Sequence, residues 1–459
     1  MDELTLIARR VFDGRVLREG RFCLEARNGM ITGLRRLGEN DPLPARARDF
    51  GDATLMPGII DAHCHAARAG QFEPHEPPSF AAIGHNLRAA LDAGVTTAGD
   101  MGSALHLISE LRHFLEDEPN AGPALRTAGP ILTVPLGYPL DWMSPLHRWL
   151  GVAVACSDER DARRAVEKIA HSGMDHVKIC IMHRAYDLHP LPVFSKKLAA
   201  AVVDEAHALG LRVLAHAHWN ADYRVALAAG VDALMHSSFD PLDEELVQRV
   251  RDSGVSVCPT LWVFHSACLG AELGLAEDPE RAQAVLPRVR RSWKRFVDAY
   301  HASGDVMPPG IGGGLPKEAA RRGVRNAVAN LKLLREAGVP VAYGSDGPYG
   351  FSVVGRPVDE LRCLRDAGLT ELEVLRAATS GAARLLGSTD RGLLAEGKRA
   401  DIIVAPGDPS ADLTNLTRLV AVFRSGRRVD GSNHKVREVR VARGVAGTLA
   451  RAAVGRSLS

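Results

Sequence analysis

The stretch AHALGLRVLAHAH (206–218) is followed a few residues later by LAAGVDALMHSS (227–238), and both are built to one plan. A helix-like run of small and apolar residues stops at a Gly, a short β-branched and aliphatic run follows, and the run ends on His. Gly suits the left-handed residue that closes a helix before a strand. The strand-like runs lack the in-out alternation of a half-exposed strand, which is the pattern of parallel strands covered on both faces. Working outward, the same punctuation recurs in LDAGVTTAGD (91–100), AHSGMDHVKICI (170–181), RDSGVSVCPTLWV (251–263) and REAGVPVAYGSD (335–346), so that Gly94, Gly173, Gly210, Gly230, Gly254 and Gly338 mark six helix-to-strand junctions. With LMPGIIDAHCH (55–65) and ALRTAGPILTV (124–134) the chain offers eight such strands separated by helices. Eight βα units predict an α/β fold closed into a (β/α)8 TIM barrel; an open doubly wound sheet would typically have fewer strands and a nucleotide-binding loop. GIGGG (310–314) follows no clear strand and reads as a flexible loop.

The ends differ from the middle. Residues 1–55 and 385–430 alternate short β-rich runs with turn residues, and they predict one small β-sandwich domain made by both chain ends beside a barrel spanning 56–384. Residues 431–459 form a basic tail, read as solvated and partly helical. The segment from Val263 to Gly338 is long for a barrel loop and carries a charged helix, which reads either as a lid over the active-site face or as a surface helix.

Composition narrows the function class. The 459 residues are 46% hydrophobic and 24% charged, ordinary for a soluble globular chain, and the net charge of +2 supplies no overall field for nucleic acid or an anionic membrane. The expectation is a cytoplasmic protein acting on a small molecule. No apolar run reaches the ~18 residues of a membrane span, and the start has no signal-peptide pattern. The seven Cys are scattered, without a C-x-x-C pair, which argues against a disulfide framework or thiolate zinc site. Basic residues are lopsided, 9 Lys against 48 Arg, so a Lys inside an apolar strand needs a reason.

Barrel enzymes place their chemistry at the carboxyl ends of the strands. Those ends hold His63 and His65, Lys178, His216, His236 and Asp346. Residues two apart on a strand share a face, so His63 and His65 can converge on one ion. Four His at three strand ends with an Asp on a fourth are metal-ligand types in a metal-ligand arrangement. Lys178 lies within an apolar strand, where burial would lower its pKa and expose a neutral amine able to take up carbon dioxide as a carbamate. A structural Lys paired with Asp100 or another strand-end acid is the alternative.

These residues and motifs resemble the metal-dependent amidohydrolase superfamily, particularly its imidazolonepropionase-like and Xaa-Pro dipeptidase-like branch, over residues ~4–430, from MPGIIDAHCH to LAEGKRADIIVAPGDPSADL. The resemblance implies the barrel with its flanking β-sandwich and leaves room for a homo-oligomer. It also implies one divalent ion on His63, His65 and Asp346, a second on His216 and His236, and a carboxylated Lys178 bridging them, with zinc as first choice. Asp346 would shuttle the proton during hydrolysis of an amide-type C–N bond. The alternative is a mononuclear imidazolonepropionase-like cyclic-amide hydrolase or a deaminase with Lys178 structural; the H-x-x-E of adenosine-type deaminases is absent, since Ala217, His218 and Trp219 follow His216. A non-catalytic barrel would have lost ligands, and all six remain. Many dipeptidase-like members carry a Tyr two residues after the fifth-strand His to bind a substrate carboxylate, where this chain has His218. His218, His147, Arg184 and Tyr186 are the candidate substrate contacts.

Overall fold

The computed structural model describes residues 3–38, 40–44, 46–70, 79–308 and 313–429; the basic tail and most of GIGGG lie outside the described residues. Eight strand positions close a parallel barrel. The first strand (Ile59–Cys64) pairs with the second (Val95–Asp100), which pairs with Ala124–Thr127 at the third position. The third position resumes as Ile131–Thr133, beside the fourth strand (His176–Cys180); the fifth (Arg212–His216), sixth (Ala233–Met235) and seventh (Ser256–Cys258) follow in order. The eighth position, 341–346, pairs with the seventh at Val257 and Val341 and closes the ring through Ala62 N to Tyr343 O (3.0 Å) and Asp346 N to His63 O (2.7 Å). All six punctuating glycines take positive φ, between +70° and +87°.

The barrel is filled rather than hollow. Ile60, Ala62, Leu214, Ala233, Met235, Cys258 and Ala342 pack inside it, and Ala382–Leu385 plugs the end away from the strand termini. Outside, amphipathic helices such as Glu159–His171 and Lys196–Ala208 bury one face against the strands.

Both chain ends meet in a single eight-stranded sheet that contains Glu3–Phe12, Leu17–Arg27, Met30–Leu37, Ala53–Pro57, Ile402–Pro406 and Ala421–Arg424. Period-two alternation assigns its two faces. Leu55, Ile402, Val404 and Phe423 build the sheet's own core, while Met56, Ile403 and Val422 face the barrel core. The hand-over between sheet and barrel falls at Gly58, between Pro57 and Ile59.

The long segment after the seventh strand divides. Lys317–Glu336 is the barrel helix that precedes the eighth position, while Leu261–Leu269 and Pro287–Ala302 are additional. Trp293 of the latter is buried, packs at a tilt against Phe351 with ring centroids 5.2 Å apart and donates its indole N–H to Gly350 O at 2.8 Å, so the insertion is packed into the protein.

Closure at the eighth position has one steric requirement. A Cβ at Gly344 would lie 2.4 Å from Cys258 Sγ and 2.7 Å from His63 Cβ. Gly344→Ala is therefore expected to lower stability by about 1–3 kcal/mol, read as a lower urea midpoint at unchanged m-value.

Candidate metal centre

The first strand does not run straight into the site. Its register with the second slips between Asp61 and Cys64, and irregularities of this kind re-aim side chains beside active sites. The buried carboxylate of Asp61 stabilises the bend: it accepts from His63 N (3.1 Å), Ser345 N (3.0 Å) and Ser345 Oγ (2.6 Å), fixing the two neighbours of the site at once. His63 Nε2 and His65 Nε2 then stand 3.4 and 3.2 Å from Asp346 Oδ1. His236 Nδ1 is 3.8 Å from Asp346 Oδ2 and 2.8 Å from Thr260 Oγ1. The His236 ring lies 4.4 Å from that of His216 and 4.7 Å from that of His63. Tyr138 stacks on His216 at 4.9 Å.

Three of the residues that shape this ring have left-handed backbones: His236 at φ +78°, Asp346 at +48° and Thr260 at +47°. Such conformations cost on the order of 1–3 kcal/mol each and persist only where the surroundings over-determine them. Here Tyr223 Oη donates to His236 O at 2.7 Å, and Asp346 N is bonded to the first strand.

Lys178 is buried at the centre of the fourth strand, and its Nζ has no hydrogen-bond partner among the described residues. Asp100 does not serve it: that carboxylate accepts from Ala66 N (2.9 Å), Gly102 N (3.3 Å) and Ser103 Oγ (2.9 Å). Burial lowers the Lys178 ammonium to about 8 against the pull of Asp346. Burial likewise pushes His63, His216 and His236 well below the ordinary imidazole value, which keeps their nitrogens neutral and able to donate a lone pair. His63, His236 and Asp346 converge closely enough for one ion, as do His216, His218 and His236. A neutral-imidazole and carboxylate donor set, with an orphaned amine and an unpartnered His216 Nε2 inside it, fits divalent metal.

The structure thus brings His63, His65, Lys178, His216, His236 and Asp346 to one cavity, with Tyr186 in its wall. His218 sits just behind, fully buried, stacked on His236 at 4.8 Å and edge-on to Phe264 at 4.4 Å. Two expected contacts go elsewhere. His147 lies on the short helix Pro145–Leu150, its Nδ1 2.7 Å from the capping Ser144 Oγ, and does not line the cavity. Arg184 also stays outside it, paired with Asp240 at 2.8 Å and lying 3.9 Å over the Trp219 ring. Unforeseen wall residues are Arg68, Tyr138, Trp142, Phe264 and Tyr349. Asp61 was also passed over, although a carboxylate inside the apolar run IIDAHCH is the same kind of signal that singled out Lys178.

The sequence profile of the Amidohydrolase family matches residues 54–429. The chain belongs to that family. An uncharacterized protein of Mycobacterium tuberculosis is 28% identical over 375 residues, 80% of this chain and 83% of that one. The imidazolonepropionase of Deinococcus deserti is 26% identical over 426 residues, 88% and 90% of the two chains. In fold this amidohydrolase is similar to a Xaa-Pro dipeptidase solved with methionine in its active site, at TM-score 0.74 and 20% identity over 94% of this chain and 100% of that one. It is accordingly a hydrolase of carbon–nitrogen bonds. Among the described residues no helix is long and apolar enough to cross a membrane.

The Asp61 carboxyl is raised by burial to about 7 despite its three donors. Between about pH 4, where the unfolded carboxyl ionises, and about 7, the folded protein holds a proton that the unfolded chain has released. Metal-free protein is therefore expected to lose stability as pH rises through this window, and Asp61→Asn to flatten that loss; urea midpoints measured across the window on both proteins check it.

Proposed function

We propose that this amidohydrolase hydrolyses an amide-type C–N bond of a small, dipeptide-like molecule at a binuclear centre. His63, His65 and Asp346 would hold one divalent ion and His216 and His236 the other, with zinc the first choice for these donors. The observation that carries the reading is the orphaned Nζ of Lys178 inside the ring of His and Asp. A neutral amine there adds to carbon dioxide, releases one proton and leaves a carbamate whose two oxygens can face two cations. When bound, the ions supply a water-derived nucleophile at neutral pH and an electrophilic pull on the substrate carbonyl.

The chain's own residues do the rest. Asp346, whose Oδ1 faces His63 and His65, receives the proton released on attack and returns it to the departing nitrogen, which leaves poorly as an anion. Its backbone bond to the first strand keeps the carboxylate at the reacting bond. Arg68 is the lining's guanidinium, with the rings of Trp142 and Tyr349 at 5.9 and 5.7 Å, and can meet a substrate carboxylate across the cavity. Tyr138, Tyr186 and Phe264 supply apolar walls that keep bulk water from the reacting bond.

The imidazolonepropionase relatives favour a second reading, a cyclic-amide hydrolase with one ion and a structural Lys178. Among the described residues Lys178 has no hydrogen-bond partner to make it structural, which weighs for two ions. Elemental analysis is expected to find two metals per wild-type chain and fewer in Lys178→Ala; one metal in both proteins would remove the carbamate bridge. A screen of N-acyl amino acids, dipeptides, lactams and carbamates identifies the substrate. On that substrate Asp346→Asn is expected to lower kcat by roughly 10²–10⁴ while retaining much of its metal; near-wild-type turnover would sink the assignment.

A further inference from the structure

An open hollow of about 930 Å³ lies at the end of the barrel opposite the metal centre. Arg212, which begins the fifth strand, Val339, and Val341, which begins the eighth position, form part of its lining, together with Ala383 and residues of the Ala377–Gly381 turn. Seven lining residues are basic and one, Glu373, is acidic, a local surplus in a chain whose net charge is only +2.

The carboxylates that could neutralise this surplus are already engaged. Glu373 is held by Arg335 at 3.1 Å, and Asp390 is chelated by Arg391 through two nitrogens at 2.9 Å. Asp232 lies 3.8 Å from Arg212 but accepts from His207 Nε2 at 2.9 Å and Val213 N at 2.7 Å. Among the described residues Arg15, Arg376 and Arg384 have no carboxylate partner; Arg376 Nε donates only to Arg15 O at 2.6 Å, and Lys398 Nζ to Thr389 O at 2.7 Å. Two further donors are buried and unsatisfied at the same place, Arg212 Nε and the Oγ of Ser388, a residue 8% exposed. Buried donors without partners are uncommon and ask for a ligand or water. The lining is also irregular, since Ala377–Gly381 forms a π-helical turn, a feature that recurs at functional sites.

We propose that this hollow binds a small phosphate-rich anion, an oligophosphate either free or carried on a nucleoside. Guanidinium forks match phosphate oxygens in pairs. Several unneutralised cations around one concavity select a ligand with several adjacent charges over a single carboxylate, and Ser388 adds a neutral donor to the lining. The volume falls within the range of small-ligand sites. The site is separate from the hydrolytic centre, so its fate does not depend on the substrate reading.

The test is calorimetric titration of full-length, metal-loaded protein with sodium tripolyphosphate and, separately, with a nucleoside triphosphate. Saturable binding that weakens with added salt is expected. The double variant Arg376→Ala/Arg384→Ala should bind at least about tenfold more weakly with unchanged metal content, and Arg384→Lys, which keeps the charge but loses the fork, should bind more weakly than the wild type and more tightly than the double variant. Equal affinity for both probes assigns recognition to the phosphates alone, and tighter binding of the nucleotide adds a contact to the nucleoside. No saturable binding of either probe up to about 1 mM at low salt overturns the proposal. Binding identical in the wild type and the double variant also overturns it, because phosphate stripping metal from the active centre would act alike on both.

Discussion

Asp61 occupies a place on which the rest of the site depends. A parallel barrel must close its last strand onto its first, and here the closing segment is short, carries two residues of the reaction centre's backbone frame, and has few ladder bonds of its own. The Asp61 carboxylate binds Ser345 through both its amide and its hydroxyl and binds His63 through its amide. It therefore joins the strand that ends in His63 and His65 to the segment that ends in Asp346. Burying a carboxyl costs free energy unless hydrogen bonds compensate it, and the three donors meet that cost only in part, as its raised pKa records. Seam closure and alignment of the metal ligands are thus one event, achieved with one buried acid.

The strand ends are legible in sequence because each carries its own local signal, a Gly that stops a helix followed by an unbroken apolar run. The ligand types are legible for the same reason: His63, Lys178, His216, His236 and Asp346 are polar groups placed where burial makes them expensive. What escaped was geometry set at a distance. The third barrel position is broken into Ala124–Thr127 and Ile131–Thr133, which no periodicity announces. Tyr138 and Phe264 reach the cavity from a loop and an added helix whose paths are set by packing. His147 and Arg184 are near enough in sequence to look useful, but Ser144 and Asp240 draw them away.

Net charge misleads in a similar manner. A balance of 57 basic and 55 acidic residues implies an evenly neutral surface only if the two are mixed. At the closed end of the barrel they are not, since the acids nearby are committed to Arg335, Arg391 and backbone amides while Arg15, Arg376 and Arg384 remain over. The two ends of the barrel thereby acquire different chemistries, neutral imidazoles around a carboxylate at one and uncompensated guanidinium at the other, on opposite sides of the same packed core.

The flanking sheet bears on how the molecule is made. Ala53–Pro57 pairs with Ile402–Pro406, so one of its own edges waits while nearly the whole barrel is synthesised. Glu3–Phe12, Leu17–Arg27 and Met30–Leu37 can form a meander early, because they are joined by short connections. That meander leaves an apolar face, with Leu6, Leu24 and Ile31 on it, open until Ile402, Val404 and Phe423 arrive. On the ribosome such an apolar face stays open to other chains until the last strands to be made cover it, so the two ends of the chain finish folding together.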